Sequence, residues 1–232
     1  MKIQSKRHIG SGSFWTVSRL LLEEEILIDA KVYMRAIFKK SLETANPGNI
    51  SLNLENYSLI KKSGLPTLNF YFREIVSGDD GILAEDINSN SKITFVSPTN
   101  ANAALACCEV PSFLRPKKAR ELPEAEAFLL QRQICSIANF DQLLEKFLND
   151  MKLTAEKKII LYEDAFFFGY AHETGDISYL VADFDNIEIG SNKTKAYLNN
   201  CDQILESFYL FIVRFVEKGK FRNEYKKKII ET

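Results

Sequence analysis

The sequence predicts an α+β fold in which strands dominate the first part of the chain and helices the second. Two early runs, residues 15–22 and 26–33, are rich in β-branched, aromatic and aliphatic side chains, with Glu23-Glu24-Glu25 between them. They predict a hairpin that turns at the three acids. After Asn88 apolar residues recur at helical spacing instead, most clearly over residues 140–151. This change of pattern divides the chain into two parts.

The first part also contains one predicted helix and two further strands. The break at Asn46-Pro47-Gly48-Asn49 precedes residues 51–62, which have helical apolar spacing. Residues 68–76 and 81–87 are strand-like and are joined by the turn-forming sequence Ser77-Gly78-Asp79-Asp80. The expected architecture here is a sheet with a single helix.

In the second part, two short predicted strands each end in an acid. Residues 158–162 form an apolar run that leads to Asp164, and residues 177–182 form another that leads to Asp183. A turn is predicted between them at residues 173–176. We expect a hairpin that holds the two carboxylates near one another. Helices are predicted around it over residues 101–108, 122–137, 140–151, 197–218 and 221–230.

Composition and charge exclude several classes of function. The chain has 232 residues, of which 46% are hydrophobic and 26% charged, and its formal net charge is −1. These values are typical of a soluble globular protein and argue against nucleic-acid binding driven by bulk positive charge. No apolar run reaches the roughly 20 residues of a membrane span, and no secretory signal pattern begins the chain. The four cysteines lack metal-binding spacing, so we expect reduced thiols in a cytosolic protein.

Four short motifs follow one another in an order that has chemical meaning. They are Gly10-Ser11-Gly12-Ser13, Asp29-Ala30-Lys31-Val32, Tyr162-Glu163-Asp164 and Asp183-Phe184-Asp185. By itself the glycine stretch is also explained by a simple hairpin turn. A phosphate-covering loop, a strand lysine, a catalytic aspartate and a metal-binding aspartate are, however, the parts that phosphoryl transfer needs. Over roughly residues 7–190 the order resembles the protein kinase superfamily.

The resemblance implies a bilobal protein-kinase-like fold, with a small β-rich N-lobe over residues 1–88 and a reduced, mostly helical C-lobe over residues 89–232. ATP would bind between the lobes together with Mg²⁺ or Mn²⁺. Main-chain groups around Glu85 and Ile87 would hydrogen-bond the adenine. The ATP phosphates would be covered by Gly10, Ser11, Gly12, Ser13 and Val17.

The same resemblance implies the catalytic roles. Lys31 would hold the α and β phosphates, and Lys39 is the competing candidate. Glu55, the only acid in the predicted helix over residues 51–62, would pair with that lysine. Asp164 would orient the substrate hydroxyl and accept its proton, and Asp183 would hold the metal ion.

The sequence also departs from the family pattern. The asparagine that binds a second metal ion, five residues after the catalytic aspartate, is replaced by Gly169, and Asn186 or Asp185 is the candidate substitute. Trp15 replaces the third glycine of the loop, Asp185 replaces the glycine of the family's Asp-Phe-Gly element, and Glu163 replaces the arginine before the catalytic aspartate. These losses leave open a pseudokinase, which would bind nucleotide or a partner protein without phosphoryl transfer.

The chain ends too soon after Asp183 for the usual activation segment and helical subdomain. This compactness, with the run Asp183-Phe184-Asp185-Asn186-Ile187, resembles the minimal kinases that bacterial pathogens inject into host cells. The resemblance implies a monomeric Ser/Thr kinase that acts on a host protein, is secreted without a signal peptide and can need a host activator. A small-molecule kinase is a further alternative, although the histidine before the catalytic aspartate and the larger helical lobe of those enzymes are missing.

Overall fold

The computed structural model describes residues 2–11, 15–42, 48–99, 130 and 133–232, and its fold is α+β, as predicted. The first part contains the strands β1 (Ile3–Ser11), β2 (Trp15–Ile28), β3 (Lys31–Ser41), β4 (Tyr71–Val76) and β5 (Asp79–Glu85), with the helix α1 (Gly48–Ser63) between β3 and β4. The strands form one antiparallel sheet in the order β1-β2-β3-β5-β4. The helix and the last two strands confirm the predictions for this part within a few residues.

The hairpin between β2 and β3 turns at Asp29 and Ala30, so the prediction of a turn at residues 23–25 was wrong. Asp29 and Ala30 have positive φ angles of 47° and 61°, which fits a two-residue turn whose twist matches the flanking strands. The three glutamates instead continue β2 with exposed side chains, where its pairing with β3 shifts register. Lys31 therefore stands at the tip of the hairpin.

Ala30 should carry backbone strain that glycine relieves. A left-handed backbone brings the Cβ of an ordinary residue close to the following carbonyl oxygen, whereas glycine has no Cβ. We expect Ala30→Gly to raise the free energy of unfolding by about 0.5–1 kcal/mol in urea denaturation. Ala138→Gly is the control, because Ala138 is exposed and its φ is not positive, and it should not stabilise the protein. Equal effects of the two substitutions would contradict strain at the turn.

The described residues of the second part form a three-stranded sheet, a two-stranded pairing and three α-helices of more than one turn. Its elements are β6 (Ile93–Val96), α2 (Phe140–Glu156), β7 (Ile159–Ile160), β8 (Phe166–Ala171), β9 (Ile177–Val181), β10 (Glu188–Ile189), α3 (Lys193–Phe215) and α4 (Lys220–Glu231). The strands β6, β8 and β9 form an antiparallel sheet in that order, and β7 pairs with β10. The helices predicted over residues 140–151, 197–218 and 221–230 are confirmed.

Two predictions for the second part need correction. Residues 133–137, the described end of the helix predicted over 122–137, are not helical, because Ile134 forms a bridge with Val216. The rest of that helix, apart from Leu130, and the helix predicted over 101–108 lie outside the described residues. The partner of β9 is β8 rather than residues 158–162. Aromatic or small side chains occupy every position of β8, whether buried or partly exposed, so its sequence lacks the alternation that identifies a half-exposed strand.

A large hydrophobic core links α1 to the second sheet and its helices. Ile60 of α1, Phe147 of α2, Phe168 of β8 and Phe208 of α3 are all completely buried in one cluster. A smaller cluster on the first sheet contains Phe38. Within the ranges that the structure describes, no helix is both long and apolar enough to cross a membrane.

Candidate functional site

The hairpin of β8 and β9 brings Asp164 and Asp183 to the same end of the second sheet. The first residue of β8, Phe166, pairs with the last residue of β9, Val181. Asp164 lies two residues before that pair, in a short 3-10 turn, and Asp183 lies two residues after it. Antiparallel pairing therefore places the two acids symmetrically beyond the last rung of the hairpin. The structure brings together the two acids that the sequence predicted to be close.

The strand β3 delivers Lys39 to these acids. Lys39 lies between Val17 on β2 and Ile82 on β5, near the end of β3. Its Nζ atom is 3.3 Å from Oδ1 of Asp183, and its side chain is only 12% exposed. Lys39 and Asp183, which are 144 residues apart in sequence, thus form a partly buried ion pair.

Lys31 does not reach this ion pair. It pairs with Ile28 beside the hairpin turn, is exposed, and donates a hydrogen bond from Nζ to Oδ1 of Asn69 at 3.4 Å. Lys31 and Lys39 are eight residues apart on one strand, which corresponds to about 26 Å. The structure therefore brings Lys39, the competing candidate, rather than Lys31, to Asp183.

Trp15 joins the site from the start of β2. Its Nε1–H group donates to both carboxylate oxygens of Asp185, at 2.8 and 3.0 Å. The Nζ atom of Lys39 lies 5.2 Å from the centre of the Trp15 ring and 5.9 Å from that of Tyr71. Such distances allow attraction between a cation and an aromatic face.

The helix α1 contributes asparagines to the site rather than an acid. Asn56 donates from Nδ2 to the main-chain oxygen of Phe184 at 2.8 Å, and Asn53 accepts from the Tyr71 hydroxyl at 2.9 Å. Both asparagines are buried. Glu55 is exposed, because two residues of helix turn it away from the face that carries Asn53. The structure does not bring Glu55 to either candidate lysine.

Asn186 lies beside the candidate catalytic aspartate. Its Nδ2 group donates to Oδ2 of Asp164 at 3.2 Å. Gly169 lies inside β8, where an added Cβ atom would come within 2.6 Å of the Phe95 ring. Position 169 therefore points at packed protein, and any oxygen ligand beyond Asp183 must come from another residue.

The remaining predicted binding residues are only partly described. Gly10 and Ser11 end β1 and pair with Val17 and Thr16 of β2, which confirms a hairpin at the glycine stretch. Gly12 and Ser13 lie outside the described residues. Glu85 and Ile87, which were predicted to lie beside the adenine, lie at and just after the end of β5. The Glu85 carboxylate accepts hydrogen bonds from the main chain and the side chain of Asn69. Ile87 packs against the large core.

Burial and crowding of like charges perturb the site's ionisable groups. Burial raises the pKa of Asp164, with further increases from Glu163 and Asp185, against the opposing hydrogen bond from Asn186. Burial also raises the pKa of Asp183, and Asp185 and Asp164 raise it further, although Lys39 opposes them. Burial alone would lower the pKa of Lys39, but Asp183, Tyr71 and Asp185 outweigh it and raise the value. Lys39 therefore stays protonated among crowded carboxylates.

The raised pKa of Asp164 predicts a pH-dependent stability change in Asp164→Asn. An acid whose pKa is higher in the folded chain stabilises the fold fully below its unfolded pKa, and this contribution disappears as the pH rises through the folded pKa. We therefore expect the melting temperature of wild type, relative to Asp164→Asn, to fall as the pH rises from about 4, near the ordinary pKa of an aspartate, towards neutrality. Thermal unfolding across that range measures the difference. Glu173→Gln, at the opposite end of the hairpin in an exposed ion pair, should show little change.

Sequence reasoning missed the roles of Trp15, Tyr71 and Asn56. One signal was available, because Trp15 and Asp185 both occupy positions where the family pattern has glycine, and the structure brings those two residues into contact. The contact of Asn56 with the main chain of Phe184 had no such signal, since a buried asparagine leaves no distinctive pattern in sequence.

Comparison with known proteins leaves the interpretation to this geometry. The chain matches no protein-family model, and no curated protein matches it.

Proposed function

We propose that the protein is a compact, atypical Ser/Thr protein kinase that transfers the γ-phosphoryl group of ATP to a hydroxyl of a protein, with a bilobal kinase-like arrangement of its two parts. The observation that carries the proposal is the ion pair between Lys39 and Asp183, with Asp164 beside it. These groups come from a strand of the first sheet and from the open end of the β8–β9 hairpin, where its two chain termini meet. Phosphoryl transfer needs a cation for the phosphates, an acid for the metal ion and an acid for the nucleophile.

Each residue has a distinct task in the proposed reaction. Asp164 accepts the proton of the attacking hydroxyl while the hydroxyl oxygen forms its bond to the γ phosphorus and the bond from phosphorus to the ADP oxygen breaks. The Lys39 ammonium binds phosphate oxygens, and Asn186 orients Asp164 through its amide. The raised pKa of Asp164 suits a proton acceptor, because a stronger base takes the proton more readily.

The donor set suits Mg²⁺ or Mn²⁺ bound together with a nucleotide. Within the described ranges, no three acid, histidine or cysteine side chains are grouped so that they could hold a metal ion by themselves. Magnesium in nucleotide sites takes one or two protein carboxylates and completes its shell with phosphates and water. Asp183 is the proposed ligand, its side chain is 35% exposed, and a divalent cation would relieve its repulsion by Asp164 and Asp185. When bound, the metal ion neutralises charge on the phosphate oxygens.

A second candidate function follows from Gly169. Its packing against Phe95 removes the position from which the family supplies a second metal ligand. A pseudokinase that binds nucleotide and regulates a partner protein would tolerate this loss. Asn186 is the residue that separates the two functions, because an active enzyme needs another oxygen ligand near Asp183, and Asn186 carries one on a side chain that already reaches Asp164.

The test is transfer of labelled γ-phosphate from ATP, with Mg²⁺ or Mn²⁺, to the protein itself and to the proteins of a eukaryotic cell lysate. We expect metal-dependent label that Asp183→Ala abolishes. Nucleotide binding without transfer, seen as a metal-dependent rise in melting temperature with ATP, would favour the pseudokinase. A folded protein that neither binds ATP nor transfers phosphate would overturn both candidates.

A further inference from the structure

We propose that Trp15 is a positioning residue of the candidate site: its indole N–H group holds Asp185, and its ring, together with that of Tyr71, holds the Lys39 ammonium. In this arrangement the two aromatic rings hold the Lys39 ammonium in place of a helix carboxylate, which α1 does not provide. The proposal rests on the proposed function and adds to it a residue that contacts neither phosphate nor substrate.

The first supporting observation is the bond between Trp15 and Asp185. Trp15 is 4% exposed, and its single N–H group faces both oxygens of one carboxylate. A hydrogen bond to an ionised acceptor in a partly buried place is about twice as strong as one between neutral groups. Phe184, next to Asp185, is completely buried against Tyr57 and Tyr71. The segment that carries Asp183 is therefore held by contacts at Phe184 and at Asp185.

The second observation concerns how Lys39 is held. Its charged and aromatic neighbours among the described residues are Asp183, Asp185, Trp15 and Tyr71, none of which belongs to α1. The helix acts on Lys39 only indirectly, because Asn53 accepts the hydrogen bond that fixes the Tyr71 hydroxyl.

The third observation is that two departures from the family pattern compensate each other. Trp15 and Asp185 both stand where glycine is expected, and they are 170 residues apart in sequence. With glycine at position 185 the buried indole N–H would lose its acceptor, and with glycine at position 15 the Asp185 carboxylate would lose its donor. Leaving a buried polar group without its partner costs about 1–3 kcal/mol, so each departure explains the other.

A positioning role predicts a specific kinetic change. Residues that orient the neighbours of a metal ligand typically alter metal affinity or activity by roughly 10- to 100-fold when replaced. We expect Trp15→Phe, which keeps a ring and removes the N–H group, to raise the Mg²⁺ or Mn²⁺ concentration for half-maximal phosphoryl transfer by about that factor. The lost hydrogen bond should also lower the melting temperature by a few degrees, so the change in metal dependence is the readout that identifies a positioning role. A purely structural role would lower stability and leave the metal dependence unchanged.

The experiment compares wild type, Trp15→Phe, Asp185→Ala and the double variant, with metal-dependent phosphoryl transfer and melting temperature as readouts. If the two substitutions act only by removing the hydrogen bond between Trp15 and Asp185, the double variant should lose no more metal-dependent transfer than the more impaired single variant. Tyr179→Phe is the matched control, because it removes a partly buried hydrogen bond from an aromatic residue to the Asp150 carboxylate on α2 and should leave the metal dependence unchanged.

A second readout needs no activity. Trp15 is the only tryptophan of the chain, so the intact labelled protein gives one indole N–H signal in nitrogen-15 NMR. We expect slow hydrogen exchange of that signal in wild type and faster exchange in Asp185→Ala. Rapid exchange in folded wild type would overturn the proposed bond.

The outcomes separate this inference from the proposed function. If wild type transfers no phosphate and binds no ATP, the proposed function fails, and the positioning role fails with it even if the indole is protected. If wild type transfers phosphate but Trp15→Phe shows wild-type metal dependence, or the effects of the two substitutions simply add, the positioning role is overturned and the proposed function stands.

Discussion

Lys39→Met should abolish most phosphoryl transfer, and Lys31→Met should leave it close to the wild-type rate. Lys39 is the lysine that forms the ion pair with Asp183, whereas Lys31 stands exposed at the tip of the β2–β3 hairpin. Removing a fixed positive charge from a site where phosphate charge develops costs about 100- to 1000-fold in rate. The measurement is the initial rate of γ-phosphate transfer at saturating ATP and metal.

The two lysines form a matched pair, because both lie on β3 and both variants keep a long, unbranched side chain. Lys39→Arg is a useful third variant, since it keeps the charge but changes the shape of the donor group. If Lys31→Met loses activity while Lys39→Met does not, the site cannot lie where the ion pair lies, and the proposed function would need a different location.

Asp183→Ala should lower phosphoryl transfer by about 1000-fold or more while changing the melting temperature by no more than about 4 °C, because it removes the proposed metal ligand but little net stabilisation. Burial and the carboxylates of Asp164 and Asp185 oppose ionised Asp183, and only Lys39 favours it. In Asp183→Ala, loss of the ion pair therefore lowers the free energy of unfolding and relief of the repulsion raises it. Rate and thermal unfolding are to be measured on the same preparations.

Asp183→Asn is needed as a second variant, because alanine at position 183 would leave the partly buried Lys39 without its ion-pair partner. The amide keeps the size of the side chain and an oxygen that can accept from Lys39, but it lacks the charge that a metal ion requires. We expect this variant to be as inactive as Asp183→Ala and at least as stable. A variant that retains the wild-type rate would exclude Asp183 as the metal ligand.

The sequence was informative about the acids for a physical reason. The apolar strand before Asp183 and the turn at residues 173–176 required a hairpin, and antiparallel geometry then places whatever precedes one strand beside whatever follows the other. Residues 158–162 were the wrong partner strand, because Asp164 follows them and their antiparallel pairing with β9 would place Asp164 at the opposite end from Asp183. Asp164 instead precedes β8, so the pairing of β8 with β9 brings the two acids together. The acids are close, as predicted, but for a reason that the predicted pairing did not contain.

The sequence could not decide between Lys31 and Lys39. The two residues are an even number of positions apart, so the alternation of side chains along a strand gives both the same face. Only the position of the turn separates them, and Asp29-Ala30 lacks the glycine or asparagine that normally marks a tight hairpin. The role of α1 was equally hidden, because an exposed Glu55 and a buried Asn56 follow each other on one turn. Tertiary contacts, which no local pattern contains, made the difference.

The bond between Trp15 and Asp185 also bears on how the chain comes to fold. A contact that spans 170 residues can form only after a very large loop has closed, and contacts of such high sequence separation slow folding. During synthesis the first sheet leaves the ribosome long before Asp185 does, so Trp15 begins without its acceptor and Lys39 without its acid. The nascent chain therefore lacks the assembled candidate site until Asp185 has been made, and it gains that site in a late step.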